Sequence, residues 1–334
     1  MAATSSPTLE AFLDRQNATT WQMALASILP AIHEVDRRAT EIWFFFFPLD
    51  LALALREADD AGDLARKLKL QGRYRLADQI DASHRFLYGH RYWPAVKQMI
   101  VERARSWAAS EAADLAAAVR EVAQAAAARV AGDASLTLGI SAVGLMTLQQ
   151  VGLGAFAASP GAVHLSPRVA ARTPEEVLRR RRRRERQGLK GFITGVPRWT
   201  VTFDENEDEA TFPLIDTQQI ATAAASDKRE HRSKDPRCTP NEGPIPVECR
   251  SASCGTCWVG VLAGETALAD VVERDEGRRI KEFGYIDTTE RKPIIRLACQ
   301  ARAYGTVSII IPPWNGIFGR FLRERRAEAV KSGR

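Results

Sequence analysis

Three cysteines lie within nine residues, Cys249-Arg-Ser-Ala-Ser-Cys254-Gly-Thr-Cys257, and a fourth follows in Leu-Ala-Cys299-Gln. Thiolates are soft ligands that suit zinc or an iron–sulfur cluster, and spacing separates the two. Structural zinc sites made of four cysteines are usually built from two C-x2-C pairs. A C-x4-C-x2-C run with one distant Cys is the pattern of a [2Fe-2S] centre. A disulfide framework does not suit 334 residues with five Cys and no secretory signal. The expected cluster and metal ligands are therefore Cys249, Cys254, Cys257 and Cys299. Most residues between the first three (Ser251, Ala252, Ser253, Gly255, Thr256) are small. Backbone N–H groups can then face the sulfurs, and Gly255 is free to take a positive φ.

Several elements must position these ligands. Residues 198–203 read as a strand, 205–208 as its turn and 210–215 as the returning strand. A short helix is expected over 217–225, with Asp216 or Thr217 as N-cap. Strands are expected at 258–262, 294–299 and 305–311, the last stopped by Pro312-Pro313. This order, with the cysteine spacing, resembles the plant-type [2Fe-2S] ferredoxins over about residues 196–313. The resemblance implies an α+β β-grasp domain, a [2Fe-2S] cofactor, a potential of about −400 mV and a redox partner protein. Two departures stand out. The 41 residues between Cys257 and Cys299 make a long gap, closer to the adrenodoxin-like branch, although that branch has five residues, not four, between its first two cysteines. An insertion over 226–244 carries the fifth cysteine, Cys238, expected as a free thiol or loop residue rather than a ligand.

Residues 196–313 hold 15 Lys/Arg against 19 Asp/Glu, a net −4 within a chain of net +6. Glu265, Asp270, Glu273, Asp275 and Glu276 follow the cluster motif and read either as a docking surface or as a solvated face, with Arg274, Arg278, Arg279 and Lys281 interleaved. The six arginines of 179–184 lie in a linker-like stretch, where Thr173-Pro-Glu-Glu favours the start of a short basic helix. Such a run could meet anionic lipid or an acidic partner. No nucleic-acid motif accompanies it, so nucleic acid is not expected. In the tail, Trp314, Ile317, Phe318, Phe321 and Leu322 recur at helical spacing among arginines, fitting an interfacial helix or one packed on the protein.

The first 159 residues are Ala-rich and read as helices at 19–55 (interrupted at Pro30 and Pro48), 63–83, 94–131 and 136–158. No P-loop, dinucleotide fingerprint or nucleophile–base signature is present, so a self-contained reductase is not expected. His84 and His90, six apart, would point to different faces of one helix, which argues against a haem or metal pair. The aromatic runs 43–47 and 86–93 read as core packing. Residues 136–158 carry no charge and are long enough to span a bilayer, but Gln149, Gln150 and four glycines favour a buried core helix.

The expected architecture is multidomain: an all-α domain (1–159) for docking, oligomerisation or targeting, a basic linker (160–195), the ferredoxin-like domain (196–313) and a basic amphipathic tail (314–334). The expected function is one-electron transfer between a reductase or dehydrogenase and an acceptor. The alternatives are an iron–sulfur subunit of a larger oxidoreductase, or a redox-responsive scaffold. A homo-oligomer is compatible with the helical domain. The N-terminus lacks a signal peptide's charged and apolar regions, so the expected location is cytoplasmic, with membrane association through the basic segments as a variant.

Overall fold

The structure, a computed structural model, describes residues 8–107, 114–184, 195–286 and 289–331. The first helices are α1 (Leu9–Asp14), α2 (Ala18–Ile28), α3 (Glu34–Phe46), α4 (Leu49–Glu57) and α5 (Ala61–Lys67), followed by a two-residue strand, β1 (Gln71–Gly72). Next come α6 (Trp93–Ser106), α7 (Leu115–Arg129), α8 (Ala134–Ala158), α9 (Pro167–Ala170) and α10 (Pro174–Arg184). The remainder holds β2 (Arg198–Thr202), β3 (Thr211–Ile215), α11 (Ile220–Ala224), β4 (Trp258–Ala263), α12 (Arg278–Phe283), β5 (Ile295–Leu297), β6 (Val307–Ile310), β7 (Trp314–Asn315) and α13 (Gly319–Lys331).

Two compact units result. One comprises residues 1–54 and 75–174, the other residues 55–74 and 175–334. The chain therefore passes between units at 54/55, 74/75 and 174/175. The stretch expected as a linker, 160–195, is split at 174/175, and residues 55–74 belong with the C-terminal unit.

The helical unit is built around α8, with α1, α3, α6 and α7 packed on it. Gly139 and Gly144 permit close approach: a Cβ would lie 2.4 Å from Thr40 Oγ1 at the first and 2.5 Å from Ile100 Cδ1 at the second. Both glutamines of α8 find partners inside the protein. Gln149 accepts from Trp21 Nε1 at 2.6 Å and donates to the Gln16 carbonyl at 2.8 Å, while Gln150 donates to the Phe47 carbonyl at 2.8 Å. By length and composition α8 could cross a membrane, yet 78% of its most apolar window is buried in protein. Trp43, Phe46, Phe47, Leu87 and Trp93 are buried, as core packing requires.

Three expectations for this half of the chain are corrected, the first being that 94–131 holds two helices, α6 and α7, because the backbone is extended at Trp107 (ψ 123°) and Asp114 caps a new start. The helix expected over 63–83 stops at Lys67, because Lys69 (φ 51°) and Gly72 (φ 80°) turn the chain into β1. His84 and His90 do not lie along one helix; a turn brings their rings to 5.0 Å, with the two Nδ1 atoms 3.0 Å apart. Burial holds both imidazoles below their usual range, His90 at about 4 and His84 well below, so both are neutral near pH 7.

The second unit contains a five-stranded sheet in the order β3-β2-β6-β4-β5. Strand β2 pairs antiparallel with β3 and parallel with β6; β4 pairs antiparallel with both β5 and β6. Val201, Phe212, Leu214, Val259, Val261, Ile295, Leu297, Val307 and Ile309 are buried. The two halves are thus a helical N-terminal unit and a C-terminal α+β unit of the ferredoxin-like type. Helix α11 begins later than expected. Thr217 (φ 64°) lies outside it, and Gln219 is the N-cap without a side-chain bond. Its first N–H groups need no side-chain cap, since Ile220 donates to the Ala301 carbonyl and Ala221 to the Ala298 carbonyl, each at 2.9 Å.

The arginine run forms part of α10 and is used within its own unit. Arg181 is buried and pairs with Glu205 through Nε–Oε1 (3.0 Å) and Nη2–Oε2 (2.9 Å), and Arg180 pairs with Asp208 at 2.7 Å. Glu185 and Arg186 lie outside the described residues. Within the insertion 226–244 Asp227 accepts from Arg229 Nε at 2.8 Å and lies 3.1 Å from His231 Nε2, and Arg229 Nη2 ties the segment to the Thr211 carbonyl at 3.0 Å. Burial pushes the Asp227 carboxyl upward, but the Arg229 guanidinium and backbone N–H outweigh it and hold the group at about 2. A depressed carboxyl stabilises the fold above its unfolded pKa of about 3.9. The stability difference between wild type and Asp227→Asn should therefore be constant above about pH 4 and shrink as the pH falls towards about 2. Thermal unfolding of both proteins from pH 5 to pH 2.5 checks this; a difference independent of pH would refute it.

Candidate iron–sulfur centre

The cluster loop runs from Cys249 to Cys257 and delivers its last cysteine directly into β4. Cys299 follows β5, which is hydrogen-bonded to β4; Ala298 N donates to the Cys257 carbonyl at 2.9 Å. The sheet therefore brings a ligand 42 positions away beside the other three. Three loop residues have left-handed backbone: Arg250 (φ 53°), Ala252 (φ 58°) and Gly255 (φ 72°). Such reversals turn successive N–H groups inward, making a nest for negative charge. Ser251 N and Ser253 N point at Cys249 Sγ at 3.5 and 3.3 Å. Thr256 Oγ1 accepts from Glu248 N at 3.2 Å, which leaves its own proton for Cys254 Sγ, 3.1 Å away. Gln300 Nε2 lies 3.5 Å from Cys299 Sγ.

The four sulfurs form two pairs. Cys249 and Cys254 are half-buried, whereas Cys257 and Cys299 are buried. In each pair one thiol gives up its proton more readily than the other. Burial raises Cys249, but bonds from Ser253, Ser251 and Cys254 bring it down to about 6. The bond from Cys257 lowers Cys299 to about 7. Burial raises Cys254, and the bond to Cys299 with burial raises Cys257 well above the thiol range. Four simultaneous thiolates therefore require bound positive charge, as metal loading supplies.

Among the described residues no three His, Cys, Asp or Glu converge as a single ion would need. Two pairs of thiols, lined by inward N–H groups and small residues, fit a binuclear centre bridged by sulfide better than mononuclear zinc. Cys238 takes no part. Its Sγ donates to the Pro244 carbonyl at 3.3 Å, and burial pushes the thiol up to about 12, so it stays protonated.

Gly255 is required twice over. Its φ of 72° strains any residue with a Cβ, and a Cβ would sit 3.0 Å from the Phe283 ring. Gly255→Ala should cost about 1–3 kcal/mol and speed loss of the chromophore on heating; an unchanged midpoint would contradict the fit.

Sequence reasoning missed the support behind this site. Arg296, on β5, is fully buried and holds Glu276 through Nε–Oε1 (2.9 Å) and Nη2–Oε2 (2.8 Å). Glu276 also accepts from Leu297 N at 2.8 Å, and Arg296 Nη1 donates to the Ala269 carbonyl at 3.0 Å. One carboxylate thus ties the 264–277 segment to the strand that precedes Cys299. Of the five acids after the motif, Glu276 is internal, Glu273 pairs with Lys281 at 3.1 Å and Asp270 lies 3.9 Å from Arg291. The tail turns its apolar face inward: Trp314, Phe318 and Leu322 are buried, with Trp314 and Phe318 in an aromatic core with Trp258, Phe283 and Tyr285.

Comparison with curated proteins and with solved structures returns no match. One family model matches, the 2Fe-2S iron-sulfur cluster binding domain, over residues 239–304. That span contains all four expected ligands and the loop that presents them. The C-terminal unit of this chain therefore carries a 2Fe-2S iron-sulfur cluster binding domain, and its cofactor is a [2Fe-2S] cluster.

Proposed function

We propose that the chain is a one-electron carrier, taking an electron from a reductase or dehydrogenase and passing it to an acceptor protein. When bound, the cluster supplies a reversible one-electron couple. The chain's own residues decide where that couple is reached. The observation that carries the reading is the asymmetry of the thiol pairs. Cys257 and Cys299 are buried, whereas Cys249 and Cys254 are half-buried beside exposed Ser251 and Ser253. One edge of the centre thus lies near the surface, where a partner can approach, and the remainder is shielded from water. The ligand N–H bonds stabilise the negative charge of the reduced state.

The test is anaerobic titration of the purified full-length chain with dithionite. Bleaching of the visible absorbance should be complete at one electron per chain and be reversed by a one-electron oxidant. A chain that loads iron but takes no electron would overturn the reading. Co-purification with a flavoprotein or metalloprotein in fixed proportion would favour a subunit of a larger oxidoreductase over a free carrier.

A further inference from the structure

An unbroken column of packing leads from the cluster loop to residues 68–73. It starts at Gly255, whose backbone lies against the Phe283 ring. Phe283 packs on Trp258, the residue after ligand Cys257, at 6.1 Å between centroids. Trp258 meets Trp314 edge-on at 5.8 Å and Phe318 at 6.0 Å. All four rings are buried. Trp314 belongs to β7, which pairs with β1 and places Gly72 opposite Trp314. Next to it Gly316 is pressed so closely on Leu70 that a Cβ would lie 2.3 Å from Leu70 Cδ2. Two backbone bonds complete the junction: Ile317 N donates to the Leu68 carbonyl at 2.7 Å, and Arg73 N to the Pro313 carbonyl at 2.9 Å.

Residues 55–74 belong to this unit, although the chain before 55 and after 74 belongs to the helical one. The segment is a strap: held by the cluster-bearing unit at 68–73 and through the Glu57–Arg325 ion pair, covalently continuous with the helical unit at both ends. We propose that anchoring of the strap at 68–73 follows cluster loading, so that the presence of the cluster sets how firmly the segment between residues 54 and 75 is held by the cluster-bearing unit.

The argument is one of linkage. Arg250 and Ala252 hold left-handed backbone that is strained for residues with a Cβ and persists only while the surroundings enforce it. Cluster binding is such an enforcement, and its free energy belongs to whatever structure positions the ligands. Without it the loop relaxes and Gly255 loses its fixed place against Phe283. Close-packed aromatic cores pass such displacements on rather than absorbing them. Linkage is reciprocal: a change that loosens the strap must also weaken cluster retention. This inference rests on the presence of the cluster and not on the identity of an electron partner.

Two measurements on the full-length chain test it. In the first, hydrogen exchange is followed in cluster-loaded protein and in protein stripped anaerobically with EDTA and a reductant. The Arg73 and Ile317 amides should exchange about tenfold faster or more after stripping, while core amides of α8 keep their protection. In the second, Leu70→Ala in the loaded chain should release iron to EDTA roughly fivefold faster than wild type, whereas Met23→Ala, an exposed change in the helical unit, should leave the rate unchanged. Equal exchange at Arg73 and Ile317 in both states would overturn the proposal, as would wild-type iron release from Leu70→Ala. Should Leu70→Ala fail to fold, the exchange measurement decides alone, because it uses no variant. A wild-type chain that loads no iron would instead refute the cluster assignment itself.

Discussion

Serine at Cys299 or at Cys257 should leave the chain without its chromophore. Iron and inorganic sulfide, expected at about two each per chain, should both fall to near zero. These two thiols are the buried pair, held by adjacent hydrogen-bonded strands, and no spare sulfur stands beside them. Cys238 cannot take over, since its sulfur is bonded to the Pro244 carbonyl and kept protonated by burial. Cys238→Ser should accordingly retain full iron and sulfide. Elemental analysis with sulfide assay and the visible spectrum of the anaerobic protein check all three variants. Undiminished iron in Cys299→Ser would sink the ligand assignment, and zinc in place of iron in wild type would sink the cluster.

Breaking the ion pair behind the site should be the most destabilising change that touches no ligand. The Glu276 and Arg296 side chains are only 4% and 1% exposed, so neither charge can be hydrated if its partner is removed. Glu276→Ala leaves a buried guanidinium and the Leu297 N–H unpaired, and Arg296→Ala leaves a buried carboxylate. Each should cost about 3–5 kcal/mol, lowering the melting temperature by roughly 10 °C. Glu276→Leu combined with Arg296→Met should recover most of that loss, because the penalty comes from the orphaned charge rather than from the pair. Thermal melts followed by loss of the visible chromophore report on the unit that holds the cluster. Single variants within 1 kcal/mol of wild type would show that water reaches the site.

The parts of this protein legible in sequence are those whose cause is local. Ligand spacing, the small residues between ligands and the need for a positive φ at Gly255 all reside in one nine-residue loop. Strands β2, β3, β4 and β6 announce themselves by β-branched and aromatic runs bounded by turns. The apolar spacing of the tail fitted an interfacial helix or one packed on the protein, and the burial of Trp314, Phe318 and Leu322 in the structure decides for packing.

Other features were misread because their cause is distant in sequence. Residues 68–72 carry helix-forming Leu and Lys, yet they turn out of α5 into β1, which pairs with β7 more than 240 positions later. His84 and His90 looked separated only under the assumption of a continuous helix. Glu276 resembled one more surface acid among interleaved charges, and nothing near it announced that Arg296 would bury it. Polar residues declare their partners only through the fold, since a single charge reads the same on a solvated face and in a core.

By itself, then, the sequence determined the cofactor and the helical and α+β halves of the chain, and it singled out four candidate ligands, because short-range spacing and periodicity carry that information. The tertiary structure alone decided that the thiols stand as an inner and an outer pair, that a carboxylate on a distant segment steadies the strand before Cys299, and that residues 55–74 are folded into the cluster-bearing unit. Those depend on contacts between residues tens to hundreds of positions apart, where chain connectivity imposes almost no constraint and packing imposes nearly all of it.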